Sequence, residues 1–296
     1  MAKKLGLALG GGFSRGAAHI GVLKILEEAG IKPAVIAGTS AGSIVAALYA
    51  AGWTVQEMEH FSRTLSPREL IDDRLTAKLW RLLVHEVRHR LRRKPRAGGP
   101  LGVLSGQRLA AFLERLFGAR RFDELKLPLV VTATDLVSGR RILFMPAPLC
   151  RDEFVRLARI PVASAIRASC TVPGLFEPVR LEKMLLVDGA IREAIPAEAV
   201  RLPGIEAVVA VDVGGRTEER QPLELFSELV TEAWELAVSE GKRKELETFA
   251  DVVIEPELKK TPPWDFSRVS QYMRAGEQAA RAKLGEIRRV LELDVR

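Results

Sequence analysis

Short apolar runs alternating with stretches of helical period set the rhythm of this chain. Leu5-Gly6-Leu7-Ala8-Leu9 reads as a buried strand. From about Ala17 to Ala29, residues Ile20, Val22, Leu23, Ile25 and Leu26 form the core face of a helix, with Gly30 as its C-cap and Pro33 preventing continuation. A second apolar run, Val35-Ile36-Ala37, precedes another helical pattern from Ile44 to Ala51, and Trp53 to Thr64 predicts a further helix. Ser105 is expected to N-cap a helix through Phe117. Leu129–Thr134 and Arg141–Phe144 read as strands joined by a turn at Asp135-Leu136-Val137-Ser138-Gly139. Pro161–Ser169 is expected to be helical, 171–178 a loop, and Leu185–Val187 a strand stopping at Asp188. Ala207–Val213 is a buried strand, Leu223–Phe249 a helix with a break near Gly241, and Val252–Ile254 a last strand. A final amphipathic helix is expected from Pro262-Pro263-Trp264 toward Leu293.

Strands alternating with helices imply a doubly wound α/β fold with a mainly parallel central sheet. Repeats are absent and the loop-rich boundary is 94–102. We therefore expect one domain over 1–296, with 70–102 as a basic helical insertion or lid and 264–294 as a C-terminal helix.

Composition narrows the classes. The 47 % hydrophobic content supports a sizeable core rather than a disordered or collagen-like chain. Two cysteines, Cys150 and Cys170, are too few for a disulfide framework, so a reduced, cytoplasmic setting is the default and Cys170 reads as a small buried filler. No apolar run approaches the ~20 residues of a bilayer span. The start of the chain loosely imitates a signal peptide, but the run is broken by glycine and has no cleavage site. The formal charge of +7 is concentrated: from Arg74 to Arg96 nine Lys/Arg stand against one acid, Glu86, so that segment carries +8 and the remainder −1.

Three stretches carry candidate chemistry. Gly38-Thr39-Ser40-Ala41-Gly42 is a G-x-S-x-G turn between strand and helix, where a serine sits at a sharp bend and the helix N-terminus favours developing negative charge. Gly10-Gly11-Gly12-Phe13-Ser14-Arg15-Gly16 fails as a dinucleotide fingerprint, because Phe13 fills the middle glycine position and no acid ends strand two. It also lacks the Gly-Lys-Ser/Thr of a P-loop. Consecutive amides aimed at one spot suit an oxyanion hole better. The histidines are His19, His60, His85 and His89, and none follows residue 89, so the Ser, Asp/Glu, His order of an α/β-hydrolase is not available. His19 reads as a packed helix residue. A carboxylate is then the base, and Asp188, closing an apolar run and followed by Gly189-Ala190, is preferred on position, with Asp135 and Asp212 as competitors.

The glycine loop, the serine pentapeptide and Asp188-Gly189-Ala190, in that order, resemble the three signatures of the patatin-like phospholipase family, and most of all its bacterial members related to neuropathy target esterase. Ala17-Ala18-His19-Ile20-Gly21, Ala133-Thr134-Asp135-Leu136 and Ser169-Cys170-Thr171-Val172-Pro173-Gly174 add to the likeness, which covers about 5–215. The resemblance implies a three-layer α/β/α fold hydrolysing acyl esters of lipids, of phospholipase A or lysophospholipase type. It makes Ser40 the nucleophile, Asp188 the base, and the amides of Gly11, Gly12 and Phe13 the oxyanion donors. Gly10, Gly16, Gly38, Gly42, Gly189 and Ala190 complete the motifs. Arg15 is expected to anchor the loop through nearby carbonyls. No cofactor or metal is called for. One departure stands out, because family members usually carry glycine where this chain has Phe13.

The basic segment has two readings: an interfacial helix drawn to anionic headgroups at about 1 kcal/mol per well-placed cation, or a lid that packs its leucines and solvates its charges. The first implies peripheral contact of 74–96 with the inner membrane face. It also supports an alternative in which the protein is a membrane-associating regulator or scaffold on a hydrolase-like fold. Nucleic acid is not expected, since no aromatic interleaving accompanies the charge.

Overall fold

A computed structural model describes residues 3–70, 101–146, 155–156, 159–214, 226–258 and 265–293. The strands are β1 (Leu5–Leu9), β2 (Val35–Gly38), β3 (Gly102–Leu104), β4 (Leu129–Asp135), β5 (Arg141–Phe144), β6 (Val155–Arg156), β7 (Gly174–Phe176), β8 (Val179–Leu181), β9 (Met184–Asp188), β10 (Ala207–Val211) and β11 (Val252–Ile254). The helices are α1 (Ala18–Glu28), α2 (Ala41–Ala50), α3 (Val55–Thr64), α4 (Pro67–Leu70), α5 (Gln107–Phe117), α6 (Val162–Ser169), α7 (Phe226–Phe249) and α8 (Val269–Val290). The main sheet has the order β11-β10-β1-β2-β4-β5-β6, parallel from β11 to β4, with β5 antiparallel to β4.

Side-chain alternation along the strands divides the core into two layers. Leu5, Leu7 and Leu9 of β1, with Val209 and Val211 of β10, face one layer, which α1, α2, α3, α5, α6 and α8 fill. Ala8, Val208 and Ala210 face the other, covered by the irregular stretch around Ile195–Leu202 and by the end of α7. The result is a three-layer α/β/α arrangement with unequal outer layers. On the thicker side α1 and α8 touch backbone to backbone. A Cβ at Gly21 would lie 2.0 Å from the Met273 carbonyl oxygen, and one at Gly276 2.0 Å from that of Ala18.

What positions the site is the register around β4. β2 pairs with Leu129–Val131 of β4, and β5 with Val131–Thr134. β9 pairs antiparallel with Ala133–Asp135, so it must use the edge opposite β5, the edge that β2 occupies lower down. β2 ends opposite Val131 and β9 ends opposite Ala133. Their C-terminal tips therefore meet head to head across Thr132, bringing together chain segments separated by some 150 residues of sequence.

Several expectations are corrected. The N-cap of α5 falls one residue after the predicted one: it is Gly106, at φ 69°, while Ser105 Oγ accepts a 3.4 Å bond from the Gln107 N–H. Arg167 fills the space over Gly106, donating to its carbonyl at 3.1 Å, and this fixes the left-handed residue there. α7 runs unbroken through Gly241, because the tertiary anchors on either side, Glu235 with Arg15 before it and Lys242 with Asp212 and Glu245 with the Ala197 N–H after it, offset the cost of a mid-helix glycine. The stretch 171–178 is not all loop, since β7 pairs there with β3. The last helix starts at Val269, after a 3-10 turn at Phe266–Arg268. The basic helix expected over 74–96 lies outside the described residues, as do Cys150, His85 and His89.

Candidate active site

Ser40 stands between β2 and α2 at φ 53°, ψ −124°, a conformation that side-chain-bearing residues avoid. The turn is tight enough to dictate its flanks. A Cβ at Gly38 would lie 2.4 Å from the Gly42 carbonyl oxygen, and one at Gly42 would lie 2.2 Å from that of Leu9. Both obstacles are backbone, so only glycine fits, and the pentapeptide spacing is a packing requirement. The bend is held by the Ser40 N–H donating to Ser169 Oγ at 2.8 Å and by Ser43 Oγ donating to the Ser40 carbonyl at 2.6 Å. The neighbouring Thr39 hydroxyl donates to the Glu193 carbonyl at 2.9 Å and lies 2.8 Å from Thr132 Oγ1.

Asp188 closes β9 and is 1 % exposed. The Ser40 side chain lies beside its carboxylate, and both face one cavity. Oδ1 accepts the Ala190 N–H at 2.9 Å, and the Asp188 N–H donates to the Thr171 carbonyl at 2.8 Å. Burial pushes the Asp188 pKa up to about 7, against the opposing pull of the Ala190 N–H and the nearby Ser40 hydroxyl. A carboxyl group poised near neutrality can accept a hydroxyl proton and return it. Asp135 and Asp212 are committed elsewhere. Asp135 accepts from Val137, Ser138 and Leu185 amides, and Asp212 caps Gly214 and pairs with Lys242 at 2.8 Å.

The glycine loop lies against the serine. The Gly11 N–H already donates to the Ala194 carbonyl at 3.1 Å, so the oxyanion role expected of that amide is not open to it in this conformation. Gly12 and Phe13 complete the loop, and both line the same cavity as Ser40. Phe13 adopts φ 51°, the left-handed region where glycine is unstrained, which accounts for the glycine usual at this position in the family it resembles. Arg15, 8 % exposed, donates to the Gly12 carbonyl at 3.4 Å and the Gly214 carbonyl at 3.1 Å, and its guanidinium pairs with Glu235 of α7. His19 is fully buried, 2.8 Å from the Gly10 carbonyl through Nε2, and burial lowers its pKa to about 4. It serves as a neutral prop for the loop.

A cavity of about 400 Å³ opens over Ser40 and Asp188, with Phe13 on one side and Trp234 and Leu236 of α7 on another. Its rim is charged by Arg15, Lys242, Asp212 and Glu235. Cys170 lies beside the pair, and burial, with Asp188 adding to it, pushes the thiol up to about 12, so it stays protonated. Ser169 and the α7 wall went unassigned in the sequence. Ser169 sits in a stretch that matches the family, but nothing local shows that its hydroxyl reaches residue 40. Among the described residues no group of His, Cys, Asp or Glu converges to hold a metal ion, and no helix is long and apolar enough to cross a membrane.

Residues 7–201 match the model of the Patatin family, described as patatin-like phospholipase. An NTE family protein of Mycobacterium tuberculosis is 29 % identical over 231 residues, covering 78 % of this chain and 54 % of the relative. Patatin-like phospholipase domain-containing protein 6 of Mus musculus is 29 % identical over 261 residues, which is 86 % of this chain and 16 % of that protein. The chain thus spans about half the length, or less, of these curated relatives. Human GIVD cytosolic phospholipase A2 superposes with a TM-score of 0.50 at 12 % identity, over 98 % of this chain and 60 % of that one. The shared feature is the fold.

Proposed function

The chain belongs to the patatin-like phospholipase family, and from that premise we propose that it is a serine hydrolase of lipid acyl esters. In this reading Asp188 takes the Ser40 proton as Oγ attacks the ester carbonyl carbon. The tetrahedral oxyanion accepts from the Gly12 and Phe13 N–H groups at the start of a helical segment. Collapse expels the alcohol, which receives the proton from Asp188. Water then attacks the acyl-enzyme, giving up its proton to Asp188 and releasing the fatty acid, and Ser40 regains its hydrogen. The observation that carries this is that the strained Ser40 and the buried Asp188 face one cavity, the carboxyl pushed up to about 7 and within reach of the serine.

The charge of the 74–96 segment adds, in the same reading, attraction to anionic lipid surfaces of about 1 kcal/mol per engaged cation. Labelling with a fluorophosphonate tests the proposal. Covalent modification at Ser40 in the wild type, lost in Ser40→Ala, together with hydrolysis of a p-nitrophenyl acyl ester, is the expected result. A folded protein whose Ser40 ignores the probe would overturn it.

A further inference from the structure

An ester has two arms that diverge from its carbonyl carbon, and the structure offers two different spaces that diverge from Ser40. The charged cavity is one. The second, of about 120 Å³, carries no Asp, Glu, Lys, Arg or His among its described lining residues. Phe13, Ser40 and Val172 line both, so they form the seam between the two spaces. From that seam the apolar cavity follows α2 past Ala41, Ile44 and Val45 to Leu48, with Phe61 of α3 facing in. Leu48 lies eight residues beyond Ser40, so at 1.5 Å per helical residue this lining is about 12 Å long, the span of an extended chain of about nine or ten carbons.

Chemistry sorts the arms. A polar alcohol group entering the apolar cavity would lose its hydrogen bonds, while a hydrocarbon chain placed among Arg15, Asp212, Glu235 and Lys242 would leave charges badly solvated. The reverse placement satisfies both. The apolar space also holds under a third of the volume of the charged one, room for one slender chain. We propose that the apolar cavity along α2 seats a single, unbranched acyl chain of medium length, that Phe13 divides it from the leaving-group side, and that Leu48 marks its far wall. This deepens the hydrolase reading and rests on it.

The test is the ratio of kcat/KM across p-nitrophenyl esters of two to sixteen carbons, below the concentrations at which they aggregate. A ratio is blind to how much of a preparation is folded. In the wild type kcat/KM should rise by up to about fourfold per methylene, the equivalent of about 0.8 kcal/mol each, and turn over near eight to ten carbons. Ile44→Trp places an indole one turn beyond Ser40, and should lower the ten-carbon to four-carbon ratio at least tenfold. Leu48→Ala should move the optimum to longer chains. A profile that keeps rising to sixteen carbons, or an Ile44→Trp ratio within twofold of wild type, overturns the proposal while leaving the hydrolase reading intact. Absence of all ester cleavage and of fluorophosphonate labelling overturns both.

Discussion

On one side of the sheet α1 and α8 meet through Gly21 and Gly276, where the buried contacts are apolar side chains and backbone and the ion pairs Lys24–Glu277 at 3.0 Å and Arg281–Glu28 at 2.8 Å lie at the margin. On the other side α7 is pinned by charges. Glu235 pairs with Arg15, Lys242 with Asp212 at 2.8 Å, and Glu245 accepts the amides of Ala197 and Glu198 at 3.1 and 3.4 Å. Glu193, 1 % exposed, pairs with Arg141 at 3.0 Å, accepts the Ala199 N–H at 3.1 Å and lies beside Glu245. Burial raises the pKa of both carboxyls, and Arg141 pulls each of them the other way. Apolar packing is indifferent to pH and costly to misfit, whereas a buried carboxyl network is directional and titratable. The site stands at the join: Ser40 rests on the packed side, and the wall of its cavity belongs to the pinned side.

The sharpest way to separate chemistry from support is Ser40→Ala. Hydrolysis should fall by about 10⁴-fold or more, with the melting temperature nearly unchanged. Ser40→Gly should lose activity equally yet melt higher, because relieving the φ of 53° returns about 1 kcal/mol of strain. On the packed side, Gly276→Leu must drive α1 and α8 apart. Thermal denaturation should show a loss of about 3 kcal/mol or more, a drop in Tm of at least about 6 °C.

Asp188 connects activity to pH. Below about pH 7 its carboxyl holds a proton, so kcat/KM should fall roughly tenfold for each unit of further acidification. Its effect on stability has the opposite sense. With a folded pKa of about 7 against an ordinary aspartate value of 3.8, the native chain holds a proton that the unfolded chain releases between those values. That stabilisation is full below the lower value and is lost as pH rises through the upper one. Asp188→Asn should abolish hydrolysis and flatten this part of the stability curve in pH-dependent denaturation. The smallest effect is predicted for Glu245→Gln, within about 1 kcal/mol at pH 6, since the amide oxygen can still accept the Ala197 and Glu198 N–H groups and leaves a neutral side chain beside Glu193. It should also lessen the loss of stability on alkaline titration. A large change in activity from this variant would show that the pinned side does more than hold the wall.

The parts of the site visible in the sequence are those whose cause is local. Gly38 and Gly42 are obligatory because the backbone around them leaves no room, so the pentapeptide is legible without coordinates. The order of strands and helices is legible for the same reason, as periodicity reports burial directly. The head-to-head meeting of β2 and β9 is not, because it depends on which edge of β4 each strand takes. Nor could the Gly11 amide be seen to serve Ala194, a partner 183 positions away. Gly241 misled for a related reason: a local weakness in α7 is overruled by distant anchors at Asp212 and Ala197. The three-residue strands β3 and β7 each open on glycine and lack the β-branched run that makes β11, of equal length, legible.

The match to the family ends at residue 201, yet β10 begins at Ala207 and lies against β1. A fragment trimmed to the matched stretch would leave β1 as a raw edge, ready to recruit a strand from another copy, and would strip α1 of its close-fitting neighbour. Anyone grafting this serine–aspartate unit onto another scaffold must therefore carry the sequence through Val290, because the last third of the polypeptide is structural carpentry for the first.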